Sequence, residues 1–553
     1  MRKKSFLQII VLAAIIIIHI LICAIIGYNR QYMFTDEVYS YGLANSENYS
    51  FLDPGSNTTL LNWTGPDFFK NYLQYNDGFP FSFRAAFVNQ ANDVHPPLYY
   101  CLLHIICFFL QGLGYSTVPG ITLNLILIPF IDILLYFIAK YFIKSEFGGF
   151  ATLILWAFSS AGLSNVIFIR MYLLVTLEIL SLIAFHIYFY QHIDFQHVKF
   201  SFNYILLSVI VAAGGLTHYY FYFFAASLGL CMCVYFLVSK KIKLLLLYGG
   251  SLCIGPALAF LIFPSALKHI FSYRGNYATS NLGEIDFSKI KIYCSFINSS
   301  LFGNLLWIII IFFFVAILFR LLIKPAINKI VWDNQIIQID FDFTKKRIQK
   351  TFKVTIKKDQ VLFFMLIVST LFYIYISIQG SEIVAQRYIY PAYPILSLVT
   401  VKFLYFIFGN TNKTKSFAFC LVLSLLLSVF SVKVNGIDWR YADYPEHASQ
   451  VSSMQGKDCI IICRDGKWVN VLQGINLYKA MNEVCCVYES NLDRVAQLLD
   501  ERNTKDSVYI AFYSDAGYSN EEMEKILNSI LDSTGMTQFQ LVYDYYTKVY
   551  CIS

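Results

Sequence analysis

The sequence predicts an α-helical polytopic membrane protein with about eleven transmembrane helices, a large outer first loop and a small C-terminal α/β domain. Three observations carry this. Of 553 residues, 57% are hydrophobic and only 14% charged, against roughly a quarter charged in soluble domains. Apolar runs near the length needed to cross about 30 Å of hydrocarbon recur along the chain. Beyond residue 450 the pattern changes to short β-runs alternating with helical segments. Soluble globular, disordered and nucleic-acid-binding classes are thereby excluded. The net charge of +7 sits in short loops between apolar runs, where it reports topology rather than an acidic partner.

In chain order, spans are expected near 6–27, 118–139, 148–168, 171–190, 202–219, 220–238, 244–263, 303–323, 361–379, 388–408 and 416–433. The first follows a basic MRKKS and exceeds an ordinary signal-peptide core, with no A-x-A site after it, so it reads as a retained span. One more run, 96–110, follows HPP and is short for a span. With that run on the outer surface as an amphipathic or re-entrant helix, 20 Lys/Arg fall on the inner side and nine in the outer loops before the tail. That bias is the positive-inside pattern, and letting 96–110 cross would invert it. The N-terminus is then cytoplasmic and the tail outside, in a cell membrane of the bacterial plasma-membrane kind.

The outer face owns loop 28–117, loop 264–302 and the tail. Residues 1–434 are expected to form the membrane domain and 435–553 an extracytoplasmic α/β domain, with strands at 458–463, 483–488, 507–513 and 539–551 and helices at about 490–502 and 519–533. No GxGxxG or P-loop occurs in the tail, which disfavours a nucleotide cofactor there. The cytoplasmic loop 324–359, basic and partly strand-like at IIQIDFDF, reads as an anchor to anionic membrane lipids. The thirteen cysteines form no CxxC pair and no metal spacing; those in apolar runs act as small hydrophobes.

The chemistry-bearing residues cluster at expected outer ends of spans. FTDEVYSYGLAN places Asp36 and Glu37 just past the first span. Adjacent helical residues diverge by about 100°, so one carboxylate is expected to meet substrate while the other holds structure. NDVHPPLYY (Asp93, His95), RMYLL (Arg170, Tyr172), THYYFYF (His218, Tyr219) and RYIYPAYP (Arg387, Tyr388) follow. Glu178 and Asp132 lie inside spans, where an ionisable residue is a functional candidate or the partner of a neighbouring side chain. Tyr72, Tyr75 and Phe79 read as groove lining or as core.

As an ordered set, TDE, HPPL, RMY, HYY and RY..P, the chain resembles polytopic glycosyltransferases of the GT-C superfamily, similar to the protein O-mannosyltransferases and the aminoarabinose and related lipid-linked-sugar transferases. The resemblance covers about residues 1–410. It implies transfer of a sugar from a polyprenyl-phosphate donor to an extracytoplasmic glycan, lipid or protein. Asp36 matches the acid that activates the acceptor, with Glu37 in support. Arg170 matches the arginine that holds the lipid-linked phosphate, Arg387 and Tyr388 resemble a further clamp on it, and His95 stands where some relatives carry Lys.

Chemistry independent of the family fits these roles. Glycosyl transfer needs a base at the nucleophile and stabilisation of the leaving phosphate, and the planar guanidinium fork suits two phosphate oxygens. Snorkelling of Arg170 and Arg387 to headgroups is the alternative, and for His218 with Tyr219 and Tyr220 it is an interfacial aromatic belt. Asp36, Glu37, Asp93 and His95 have the chemistry for a divalent ion, but their spacing is no recognised ligand pattern, so no cofactor is expected. A transporter or flippase of lipid-linked sugars is the rival reading. It predicts midplane charges and repeated halves, whereas most of the charges here cluster at the outer ends of spans and no repeat is visible. A receptor-like module built on the tail has no motif behind it.

Overall fold

Helices dominate the membrane segment because its residues are apolar around their whole circumference, the pattern of helices buried in lipid and in one another. The computed structural model describes residues 2–553 except 31–32, 48, 50–52, 54–58, 75–80, 114–115, 194–199, 272–274, 277–279, 282–284, 324–325, 334–335, 343–351, 357, 409–412, 440–443, 466–470, 472–473, 503–506, 514–516 and 545–546. Tyr75 and Phe79 lie outside the described residues. The chain divides into two units, one of Met1–Ile25, Val94–Tyr99 and Asn124–Asp438, the other of Ile26–Asp93, Tyr100–Leu123 and Trp439–Ser553.

Among the described residues, eight helices are long and apolar enough to cross a membrane: Phe6–Tyr28, Val118–Ile143, Tyr172–His192, Tyr220–Val238, Ile242–Ile262, Asp359–Gln379, Gln386–Phe406 and Ala418–Asn435. The protein is accordingly a multi-pass membrane protein. The count reaches ten if each of two bent pairs is one span, against about eleven expected, and the difference has local causes. The run 148–168 is two helices, Glu146–Ala157 and Ser160–Ile167, meeting at 62°. Ser159 caps the second by accepting the Gly162 N–H at 3.1 Å, and a Cβ on Gly162 would lie 1.9 Å from the Trp156 carbonyl oxygen. The run 202–219 yields Phe202–Thr217, only 16 residues. The run 303–323 begins after an 86° turn from Phe287–Phe302, at Gly303 with φ 55°, a conformation glycine adopts without steric cost.

Polar pairs tie the first unit together. Asp132 meets His19 at 3.0 Å with both side chains fully buried, so this intramembrane acid holds the first helix to Val118–Ile143. Ser428 and Ser431 bond the Ile154 carbonyl and the Ser160 N–H at 3.1 and 3.0 Å, fixing the last helix to the broken pair. In the basic loop 324–359, strands β1 (Ala326–Asp333), β2 (Ile336–Asp342) and β3 (Phe352–Ile356) form an antiparallel sheet.

The second unit is built on a five-stranded sheet of β4 (Cys459–Cys463), β5 (Val484–Tyr488), β6 (Val508–Tyr513), β7 (Phe539–Asp544) and β8 (Thr547–Ile552), in the order β5-β4-β6-β8-β7. β4 pairs in parallel with β5 and β6, while β8 runs antiparallel to β6 and β7. The run expected at 539–551 is this hairpin. Helices Val495–Glu501 and Asn520–Thr534 stand where helices were expected, the second opened by a Ser519/Glu522 capping box. Residues from the long loop 28–117 complete the sheet. Leu61 and Thr64 donate backbone N–H groups to Cys486 and Val484 of β5 at 2.9 and 2.8 Å, and Trp63 Nε1 donates to the Leu498 carbonyl at 3.2 Å. Otherwise β5 would present an open edge. All thirteen cysteines are free thiols.

Candidate active site

In the first unit, the tips of four separate sequence motifs converge. The helix Ser160–Ile167 ends in a tight turn, with Arg170 N–H on the Phe168 carbonyl at 2.8 Å. Asn124 Nδ2 holds that turn by donating to the Val166 and Phe168 carbonyls at 2.7 and 3.0 Å. Arg170 is buried there. Tyr172, at the start of the next helix, stacks on Phe168 with centroids 6.0 Å apart. Its ring lies 5.8 Å from His218 and 6.2 Å from Tyr388. His218 in turn lies 5.6 Å from His95 and 5.1 Å from Tyr220. Burial and then the Arg170 charge push the His218 imidazole down to about 3, so it stays neutral across the physiological range. His218 occupies the turn between two apolar helices, outside both.

Arg387 and Tyr388 sit on the 3₁₀ turn Gln386–Ala392, whose carbonyls are gripped from neighbouring helices. Tyr293 Oη donates to the Ala385 carbonyl and Tyr373 Oη to that of Tyr388, each at 3.1 Å. The Arg387 guanidinium lies 5.4 Å over the Tyr388 ring and is half-exposed. Sequence reasoning missed Tyr390 and Asp438. Tyr390 packs edge-on to Tyr172 at 6.5 Å and donates to Asp438 Oδ2 at 3.1 Å. Burial raises the Asp438 carboxyl while that hydrogen bond opposes the shift. No pattern marks an acid some 50 positions from its partner; only the fold pairs them.

Tyr219 turns away from its neighbour His218 and meets His269 Nδ1 at 2.8 Å. Glu178 is buried behind the site, where Thr217 Oγ1 donates to its Oε1 at 2.6 Å.

Asp36, Glu37 and Asp93 belong to the second unit. The two adjacent acids have diverging fates there. Glu37 is fully buried in a bidentate pair with Arg30, with Arg30 Nη1 on Oε1 at 2.8 Å and a second contact between Nη2 and Oε2. It also accepts the Phe34 N–H at 2.7 Å, closing the first turn of helix Thr35–Asn45. Asp36 is half-exposed on that same turn. Tyr39, one turn on, bonds Tyr49 at 3.0 Å. Burial raises the phenols of Tyr39 and Tyr72, and the Asp93 charge adds to both shifts, so Asp93 is grouped with these tyrosines. Tyr72 is core: it fills the space a Cβ on Gly42 would need, 1.8 Å from its Cζ. Among the described residues no group of three or more His, Cys, Asp or Glu is placed to hold a metal ion.

No family model matches the chain, and no curated protein does. Two solved structures are similar to it along nearly their whole length. The crystal structure of ArnT from Cupriavidus metallidurans in the apo state is 11% identical, with 99% of this chain and 98% of that chain covered and a TM-score of 0.48. That of ArnT from the same organism bound to undecaprenyl phosphate is 12% identical, with 98% and 97% covered and a TM-score of 0.45.

Proposed function

We propose that the protein is a membrane glycosyltransferase that moves a sugar from a polyprenyl-phosphate donor to an acceptor outside the cytoplasm, a glycan, lipid or protein. The observation that carries this reading is the gathering of His95, Arg170, Tyr172, His218, Arg387 and Tyr388 from four motifs distant in sequence. Two arginines with aromatic and imidazole neighbours suit a lipid-linked phosphate. Their charge stabilises the phosphate as it leaves, and the surrounding burial strengthens that interaction. Asp36 is the general base that takes the acceptor's proton, and Glu37, locked to Arg30, holds the helix that presents it. Asp93 and Tyr219 are assigned to substrate contact on the motif resemblance alone. The reaction breaks the bond between the sugar's anomeric carbon and the phosphate oxygen and forms one to the acceptor. The phosphate departs as an anion, so no redox cofactor enters. Domain roles follow the same reading, with residues 1–434 carrying catalysis and 435–553 lying outside.

Mass spectrometry of lipid-linked sugars and surface glycans in a strain lacking the protein tests it. Accumulation of a polyprenyl-phosphate sugar together with loss of one sugar from an envelope glycan, lipid or protein is expected. Unchanged pools of both would overturn the reading.

A further inference from the structure

The state of the His218 ring is fixed by its turn. That turn joins helices Phe202–Thr217 and Tyr220–Val238 and is braced on each side. His218 N–H bonds the Gly214 carbonyl and Phe221 N–H bonds the His218 carbonyl, both at 3.0 Å, while Thr217 Oγ1 is tied to Glu178 at 2.6 Å. Within the turn, the Tyr220 backbone N–H donates to His218 Nδ1 at 3.1 Å. A ring nitrogen that accepts a hydrogen bond carries no proton, so the single proton of the neutral imidazole resides on Nε2. The residue is 7% exposed, yet no protein group among the described residues takes up that Nε2–H. That nitrogen is not one of the sealed-off polar atoms of the structure, so its proton is open to a ligand acceptor although the rest of the ring is enclosed.

Three features identify the acceptor's chemistry. The Arg170 charge acts on the ring, so an anion is the favoured guest. The rings of His95, Tyr172 and Tyr220 stand within 5.8 Å of it, an aromatic frame that suits a lipid-linked guest. The Nε2 edge only donates, which complements an oxygen that only accepts. A phosphodiester oxygen fits all three, whereas a sugar hydroxyl would leave its own proton without a partner at this edge.

We infer that His218 is a substrate-binding residue whose Nε2–H donates an uncharged hydrogen bond to a phosphate oxygen of the lipid-linked ligand, beside the charge of Arg170. The inference rests on the glycosyl-phosphate reading above and adds which atom binds and in which protonation state. Arg170 supplies charge, and His218 supplies direction without giving up its proton. The ring therefore holds the phosphate through the reaction and is not the acid that protonates a leaving group.

The test measures binding of a polyprenyl phosphate methyl ester, a phosphodiester with one negative charge, to the purified full chain in detergent. The variants are His218→Gln, His218→Asn and His218→Phe, each checked for monodispersity and melting. The Gln amide nitrogen reaches the Nε2 position, so Gln should bind within about threefold of wild type. Phe, which keeps ring volume, and Asn, which places its amide at the Nδ1 position, should weaken binding about 10-fold or more, as expected for a lost hydrogen bond to a charged group. Wild-type-like binding by the Phe variant, or equal losses in folded Gln and Phe variants, would overturn the role of His218 alone. Failure of the folded wild type to bind the ester would overturn the glycosyl-phosphate reading and this inference with it.

Discussion

Replacing Glu37 with Gln separates the two adjacent acids of helix Thr35–Asn45. The Arg30–Glu37 pair is bidentate with both side chains at 0% exposure, and Glu37 also closes the helix's first turn on Phe34. Gln keeps the size and one acceptor but leaves the Arg30 charge buried without this carboxylate. Breaking a buried pair from one side costs about 3 to 5 kcal/mol, and the retained acceptor puts this case near the lower figure, about 3 kcal/mol. Removing both charges, Arg30→Met with Glu37→Gln, should recover much of that loss, because deleting a whole buried pair is often close to neutral. Thermal unfolding in detergent, read beside sugar transfer per folded molecule, is the assay. Glu37→Gln should lower the melting temperature clearly and turnover modestly. Asp36→Asn should melt like wild type and lose about 100-fold or more in turnover, the scale of a missing general base. Wild-type melting with abolished turnover in Glu37→Gln would refute the reasoning and move the catalytic role to Glu37.

Arg170→Ala and Arg387→Ala should each weaken donor binding by about 2 to 5 kcal/mol, with Arg170→Lys rescuing only part because a point charge lacks the fork; titration with the donor checks this, and unchanged affinity in both Ala variants would remove the clamp. Acidification should destabilise the fold through His218, whose folded imidazole is held near 3. Below an ordinary value of about 6.5, the unfolded chain takes a proton that the folded chain refuses. Stability then falls as pH drops toward 3, by up to about 1.4 kcal/mol per pH unit. Melting curves at pH 7.5 and 5 should show a smaller drop for His218→Gln than for wild type, and equal drops would contradict the assignment. Cysteine accessibility tests orientation: an impermeant reagent applied from outside should miss loop 324–359, and labelling there would reverse the sidedness of every loop.

Much of the fold is legible because it rests on patterns with a fixed period. Apolar runs of bilayer length marked the spans, and the alternation beyond residue 450 marked β4, β5 and β6 within a residue at each end but read the β7–β8 hairpin as one run. What escaped depended on contacts between distant residues. The break at Ser159 turns on a serine cap and one glycine packed against the Trp156 carbonyl, and neither interrupts hydropathy. The backbone pairing of Leu61 and Thr64 with β5 occupies too short a stretch to read as a strand. At the site, motif order marked His95, Arg170, Tyr172, His218 and Tyr388, which the fold gathers. It gave no hint of the Asp438–Tyr390 bond or of Tyr219 turning to His269, because tyrosines at a span end look alike in sequence. The separate fates of Asp36 and Glu37 were legible as helical divergence, but the partner that buries Glu37, Arg30, was not.

The central claim is that the lipid-linked bond is broken and the sugar handed on. Reconstituting the full chain into liposomes containing a polyprenyl-phosphate sugar extracted from the native membrane, with acceptor outside, tests this most directly. Free polyprenyl phosphate should appear in step with sugar on the acceptor, and Asp36→Asn should stop both. Movement of the intact lipid-linked sugar between leaflets with no polyprenyl phosphate released would contradict the account and identify a flippase instead.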